Sequence, residues 1–328
     1  MSYADHVFIR NCKTIIDGGE TDDDFEVRPK WSDGTPAHTK KIIFQQNTYQ
    51  LAKDSIPVMT LRKQGIRNAI DEILWIYQKQ TSDISKLHSH IWDSWDVGDG
   101  TIGRAYGHQI GIRSRHHKYH KGENLDGIHY EVNGNDWIYL SQTDAVIWDL
   151  KNNPGSRSIM TNTYNHNDLS YMGLRPCAYS MHFLVTKNSD GQMVLNGKLL
   201  QRSQDMLTAN NWNVIQYSVL LQMLAQVCGM VPGKLVHSVS DMHIYDRHIP
   251  IVKELIDTYT KRFNEDTVKF SLSDSESIFM KVLDQCPYPN PTFWMNPDIK
   301  DFYQFTVDDF KLENYQYCEF DHKIEVAV

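Results

Sequence analysis

Apolar residues recur at three- and four-residue spacing in two stretches of the chain and gather into short runs bounded by turn residues in two others. Between Asn68 and Gln78, Ala69, Ile70, Ile73, Leu74 and Ile76 form one helical stripe. Between Val214 and Met230, Tyr217, Leu220, Leu221, Leu224 and Val227 form a second. Each predicts a helix with its apolar side on a core. Met181 to Val185 and Gln192 to Leu199 read as strands, with Asn188, Asp190 and Gly191 supplying the turn. Together the elements predict an α+β domain. From Asp284 to Lys300, the run Cys286-Pro287-Tyr288-Pro289-Asn290-Pro291 and then Pro297 predict an extended surface connection, with the C-terminal tail packing after it. No repeat, low-complexity tract or long linker interrupts the chain, so a single domain over 1–328 is expected.

Composition adds a compartment and removes several functions. The 328 residues are 41% hydrophobic, 11% aromatic and 23% charged, as in a globular protein with a substantial core. No stretch approaches the apolar length that spans a bilayer, and Met1 to Arg10 lacks the apolar core of a signal peptide. A soluble cytoplasmic protein is expected, in the host cytoplasm if it is viral, with no membrane partner. The five cysteines (Cys12, Cys177, Cys228, Cys286, Cys318) are odd in number, scattered and free of CxxC spacing. They predict no disulfide frame and no metal site, and at least one free thiol. A net charge of -8 disfavours duplex nucleic acid, yet a small anion needs only a local group of arginines.

Cys177 lies in Leu174-Arg175-Pro176-Cys177-Ala178-Tyr179. The proline fixes the approach of the chain, and a following strand would hold the thiol on a rigid element, as a nucleophile requires. Inert packing is the plainer reading of a lone cysteine, and a nearby cation is what separates the two. Arg202, in Gln201-Arg202-Ser203-Gln204-Asp205, supplies one if the two strands lie side by side, and could bind a phosphate too. By itself it reads as a solvated surface charge.

In chain order come Asp71-Glu72-Ile73-Leu74-Trp75, Ile91-Trp92-Asp93-Ser94-Trp95, Ala105-Tyr106-Gly107-His108-Gln109, Pro176-Cys177, Gln201-Arg202-Ser203, Asn213 and Asp241-Met242-His243-Ile244-Tyr245. This ordered set resembles the thymidylate synthase superfamily from about Ile15 to Val328. Val27-Arg28-Pro29-Lys30-Trp31 with Asp33 to Thr39 is similar to the subgroup of some bacilli and their phages. The resemblance implies a large mixed sheet that forms a homodimer interface, helices on its other side, a dUMP-like nucleotide as substrate and 5,10-methylenetetrahydrofolate as co-substrate. Cys177 is then the nucleophile that adds to uracil C6 and makes C5 a carbon able to attack a one-carbon donor. Asn213 matches the asparagine that reads O4 and N3–H, where cytosine-specific relatives carry aspartate; its plainer use is a turn or helix N-cap. Glu72 matches the glutamate that organises proton transfer at O4, and Tyr106 the tyrosine assigned to proton removal from C5. Phosphate binding falls to Arg28, Arg202, Ser203 and Arg157, the last from the partner subunit. His243 and Tyr245 match the pair that bonds the sugar 3'-hydroxyl.

Departures fall on the phosphate and folate sides. Ser156-Arg157-Ser158 has one arginine where the family usually has two in succession. Trp92, Trp95, Leu174, Asp205 and the terminal Val326-Ala327-Val328 agree with residues that line or close over the folate, and Asp205 is expected to share in catalysis. The family's Leu-Gly-x-Pro-Phe-Asn, however, reads Thr208-Ala209-Asn210-Asn211-Trp212-Asn213, and Gly65 replaces a histidine that usually precedes the first helix. Ala209 and Trp212 therefore belong to a reshaped folate pocket. A methyl where glycine allowed close approach and a hydroxyl where leucine was apolar would shift the folate or admit water. Water decides whether the C5 methylene takes hydride to become methyl or water to become hydroxymethyl. Conversion of dUMP to dTMP is the expected reaction, dUMP hydroxymethylation the alternative, and a catalytically silent nucleotide- or RNA-binding homologue a third reading. The insertion from Ser114 to Gly134, with His116, His117 and His120, reads as a solvated loop more than a metal site, since no acidic ligand completes one.

Overall fold

The computed structural model describes residues 2–134, 136–262 and 291–328. Helix α1 (Tyr3–Gly18) opens on a capping box in which Ser2 Oγ accepts the Asp5 N–H and the Asp5 carboxylate accepts the Ser2 N–H. Strands β1 (Glu20–Thr21) and β2 (Thr39–Gln50) follow, then α2 (Ile66–Tyr77) and the short α3 (Gly107–Gly111). After these come β3 (Ser114–Lys118), β4 (Tyr130–Val132), β5 (Trp137–Leu140), α4 (Gln142–Asn152) and β6 (Met160–Asn162). The second half holds β7 (Ala178–Lys187), β8 (Met193–Asp205), α5 (Trp212–Val227), β9 (Val231–Tyr245), α6 (Ile249–Arg262), β10 (Thr292–Met295) and β11 (Phe310–Glu313). Among the described residues, no helix is long and apolar enough to cross a membrane.

The main sheet runs β1-β2-β9-β8-β7-β6 and is mixed: its pairs are antiparallel except β8 with β9. A parallel pair needs a crossover, and α5 is that crossover. Both sequence stripes are helices, each beginning two residues earlier than the stripe. α5 is apolar on every side because it lies between the sheet and α2, so burial does not confine its leucines to one face. The two sequence strands are the cores of β7 and β8, and Gly191, at φ 78, closes the turn between them.

Two expectations are corrected. The insertion is solvated over most of its length but is not all loop: its ends, β3 and β4, flank β5 in a three-stranded sheet, and His117 packs its ring 4.2 Å from Trp148 of α4 while bonding Glu123 at 2.8 Å. Its alternation of aromatic and polar residues, read as loop, is strand pairing against a helix. Of the Pro-rich connection, residues 284–290 lie outside the described residues. The remainder is no surface segment, because β10 pairs with β11 and buries Phe293 against Phe310.

Candidate active site

Cys177 immediately precedes β7, and Ala178 pairs with Gln201, which sets Arg202 of β8 beside the thiol. The Arg202 N–H donates to the Cys177 carbonyl at 2.8 Å. Its guanidinium donates to the carbonyls of Pro176 (3.0 Å) and Arg175 (2.8 Å) and approaches Cys177 Sγ at 3.5 Å. Two carbonyls hold this cation, so it is a fixed part of the site and not the solvated charge that the isolated sequence allowed. From the other side, Tyr106 Oη accepts the Cys177 N–H at 2.9 Å. Tyr106 adopts φ 43, ψ -103, a strained backbone for a bulky residue, immediately before α3. Burial raises the Cys177 thiol above its ordinary value, while Arg202, Arg28 and the Tyr106 hydroxyl draw it down. Burial prevails, which favours the protonated thiol.

Glu72 sits on the inner side of α2 at 5% exposure. Its Oε1 accepts from Trp92 Nε1 at 3.2 Å and its Oε2 from Trp212 Nε1 at 2.7 Å. Burial pushes the carboxyl up to about 7, against the hydrogen bonds of Trp212 and Trp92 and a weaker pull from Gln216. An acid poised there can exchange protons at neutral pH. Trp92 joins this group to the thiol, since its ring lies 5.2 Å from Tyr106 and 5.5 Å from Trp95.

Asn213 lies inside the first turn of α5, not at its cap; the cap position belongs to Asn211. Gln201 Nε2 donates to Asn213 Oδ1 (3.1 Å), and Asn213 Nδ2 donates to Gln216 Oε1 (3.0 Å). Gln201 Oε1, which can only accept, lies 2.8 Å from His237 Nε2, so that nitrogen carries the proton. Burial lowers His237 to about 4 and keeps the ring neutral. The relay fixes which way the Asn213 amide faces and uses one lone pair and one N–H, leaving one of each.

The parallel register places Asp205 opposite His243, whose Nδ1 is 2.7 Å from Asp241 and whose ring meets Tyr245 edge-on at 5.2 Å. Ser203 is half-buried on the same strand, and Leu174 packs half-buried against the main core. Asp205 accepts the N–H groups of Leu207 (2.8 Å) and Thr208 (3.2 Å) and the Thr208 hydroxyl. The threonine that could have held water is thus turned onto a carboxylate. Ala209 donates its N–H to the Asp205 carbonyl at 3.2 Å and closes the same turn. Arg28 is exposed, yet its charge reaches both Cys177 and Tyr245. Arg157 is not brought to the thiol: it is exposed on the segment between α4 and β6, offering its carbonyl to His182 at 3.0 Å. The half-buried Ala327 is carried by a tail whose Val328 exchanges two backbone hydrogen bonds with Lys30, at 2.8 and 3.1 Å.

Sequence reasoning missed Gln201, Gln216, His237 and Asn211 as parts of the site. Asn211 takes φ 68, which a proline, locked near -65°, cannot adopt. Its Oδ1 accepts the Met59 N–H at 2.8 Å and its Nδ2 donates to the Pro57 carbonyl at 2.9 Å. Replacement of the family's proline was the signal; what it did to the chain direction was visible only in the fold.

The family model described as thymidylate synthase matches residues 6–328. The chain is 36% identical over 321 residues to the thymidylate synthase of Bacillus phage phi3T, covering 97% of this chain and 96% of the relative. Thymidylate synthase 1 of Bacillus subtilis strain 168 is similar to the same degree, at 36% identity and the same coverage. The solved structure of thermostable thymidylate synthase A from Bacillus subtilis superposes with a TM-score of 0.78 at 35% identity, covering 100% of both chains. With its thiol, cation, tyrosine and carboxylate assembled on this mixed sheet, the chain belongs to the thymidylate synthase family.

Proposed function

We propose that the chain is a single-domain cytoplasmic enzyme that methylates dUMP to dTMP with 5,10-methylenetetrahydrofolate as co-substrate. The observation that carries this reading is the Cys177 sulfur 3.5 Å from a guanidinium anchored on two carbonyls, with Tyr106 bonded to the same residue. A nucleotide phosphate on Arg202, Ser203 and Arg28 brings uracil C6 over the thiol, and His243 with Tyr245 holds the sugar hydroxyl. Cys177 gives up its proton and bonds C6. The C5–C6 pair moves onto C5 and O4, where Glu72 manages the proton, while Asn213 matches O4 with its N–H and N3–H with its free lone pair.

C5 then bonds the methylene carbon of the folate as one of that carbon's two C–N bonds breaks, the freed nitrogen keeping the electron pair and taking up a proton, and C5 loses its own proton with Tyr106 attending. Expulsion of tetrahydrofolate leaves an exocyclic methylene, which takes hydride from that folate; Cys177 departs and dihydrofolate is released. The aromatic and aliphatic surfaces of Trp92, Trp95, Leu174, Trp212 and Ala327 suit the flat folate rings, and Asp205 with Ala209 borders them. Commitment of the Thr208 hydroxyl to Asp205 favours hydride over water as the final acceptor's source.

A homodimer fits the exposed apolar residues of the main sheet, Ile43 and Phe44 on β2, Met160 on β6 and Leu184 on β7. A partner across them would bring the partner's Arg157-bearing segment to the phosphate. The test is incubation with dUMP and methylenetetrahydrofolate, following dihydrofolate by absorbance and the nucleotide by mass. A methylated product with equimolar dihydrofolate is expected. A hydroxymethylated product with tetrahydrofolate retained overturns the methyl transfer, and turnover of a cytosine nucleotide instead of dUMP overturns the role of Asn213.

A further inference from the structure

Two departures from the family pattern, far apart in sequence, meet at the ring of Trp212, whose N–H reaches one oxygen of Glu72. Asn211 turns the chain through φ 68 so that Trp212, the first residue of α5, aims its indole at α2. The resulting bond, Trp212 Nε1 to Glu72 Oε2, is 2.7 Å, against 3.2 Å for Trp92 to Oε1. Opposite, Gly65 leaves the space this ring fills: a Cβ there would lie 3.1 Å from Trp212 Cζ3 and 3.7 Å from Cη2. Gly65 has φ -80, which an alanine can adopt, so room for the ring, and not backbone freedom, is what glycine provides.

We infer that Trp212 is a positioning residue for the reaction: admitted by Gly65, its indole N–H fixes the Glu72 carboxylate between two donors and stabilises its ionised form. This rests on the reading of Glu72 as the proton-handling group of a thymidylate synthase. Indole N–H groups only donate, so two of them on opposite oxygens select a carboxylate over either the acid or an amide. The other groups that act on Glu72 do not substitute. Asp71, next to it on α2, opposes ionisation, and Gln216 of α5 assists weakly. Tyr106 and Tyr217 sense the Glu72 charge, but burial holds both phenols neutral. Trp212, first counted among the folate-lining residues, therefore acts through the acid as well.

The test titrates the Glu72 carboxyl directly, by its infrared band, assigned through the band's loss in Glu72→Gln. Trp212→Phe keeps an aromatic side chain and deletes the donor. Loss of one hydrogen bond to a charged group moves the titration up by about one pH unit. The pH limb of kcat that reports Glu72 moves with it, kcat falls about tenfold and dUMP affinity stays within about twofold. Gly65→Ala crowds the ring and shifts the band in the same direction by less. An unshifted band in Trp212→Phe overturns the inference, and so does an unshifted band in a folded Gly65→Ala if the phenylalanine variant does not fold. Failure of the wild-type protein to turn over dUMP would sink the functional reading alone, because the infrared titration needs no turnover.

Discussion

Replacing Asn211 by alanine should cost the protein about 3 kcal/mol, and the structure divides that figure into parts that can be measured separately. Asn211 is 1% exposed and bridges the Pro57–Met59 segment to the start of α5 with both ends of its amide. Alanine at φ 68 costs about 1 kcal/mol, because its Cβ crowds the backbone in the left-handed region that asparagine tolerates. The orphaned Met59 N–H, in a residue with 0% exposure, costs about 2 kcal/mol more. Pro57 is half-buried, so water replaces most of what its carbonyl loses. Asn211→Gly removes the same hydrogen bonds and spares the left-handed penalty, so it should fall about 1 kcal/mol short of alanine's loss. Urea unfolding at one fixed protein concentration, with unchanged slope, measures both. Destabilisation of alanine by less than about 1 kcal/mol, or a glycine variant no better than alanine, would refute the assignment of the turn.

Other expectations follow from the same geometry. Cys177→Ser should bind dUMP but form no adduct by mass, while an adduct in that variant would remove Cys177 as nucleophile. Mixing Cys177→Ser with Arg157→Ala subunits should restore about a quarter of wild-type activity, one intact site in each mixed dimer, whereas no recovery would refute a shared phosphate site. Glu72 binds its proton more tightly folded than unfolded, at about 7 against 4.5, so it stabilises the fold at acid pH and that contribution disappears as pH rises through this window. The stability of wild type relative to Glu72→Gln should therefore drop by about 3 kcal/mol between pH 4.5 and about 8, and a pH-independent difference would show that the carboxyl is not so perturbed.

The order of motifs carried the fold family and most of the side chains that the structure gathers around Cys177, because each is a short run whose residue types are narrowly constrained by chemistry. Periodicity found α2, α5, β7 and β8 for the same reason that they are buried. What escaped was long-range. Nothing local to Gln201 shows that it sits between His237 and Asn213, and nothing local to Gly65 shows that it makes room for Trp212. The insertion was misread because His116 and His117 look like solvated polar residues until Trp148 of a later helix is laid against them. The arginines divide likewise: Arg202 was legible from its strand, whereas Arg157 stays exposed and away from Cys177.

The α5 crossover between the parallel strands β8 and β9 has a consequence for how the site comes apart. The amide relay around Asn213 is closed by contacts of short sequence separation, 12 residues from Gln201 to Asn213 and 36 from Gln201 to His237. The thiol and the buried carboxyl are tied in by longer ones, 71 residues from Tyr106 to Cys177 and 140 from Glu72 to Trp212. Long loops are the more costly to close and join late in folding. Mild denaturant should therefore extinguish turnover while the crossover unit still holds a nucleotide, so that partial unfolding leaves a binder before it leaves a random chain.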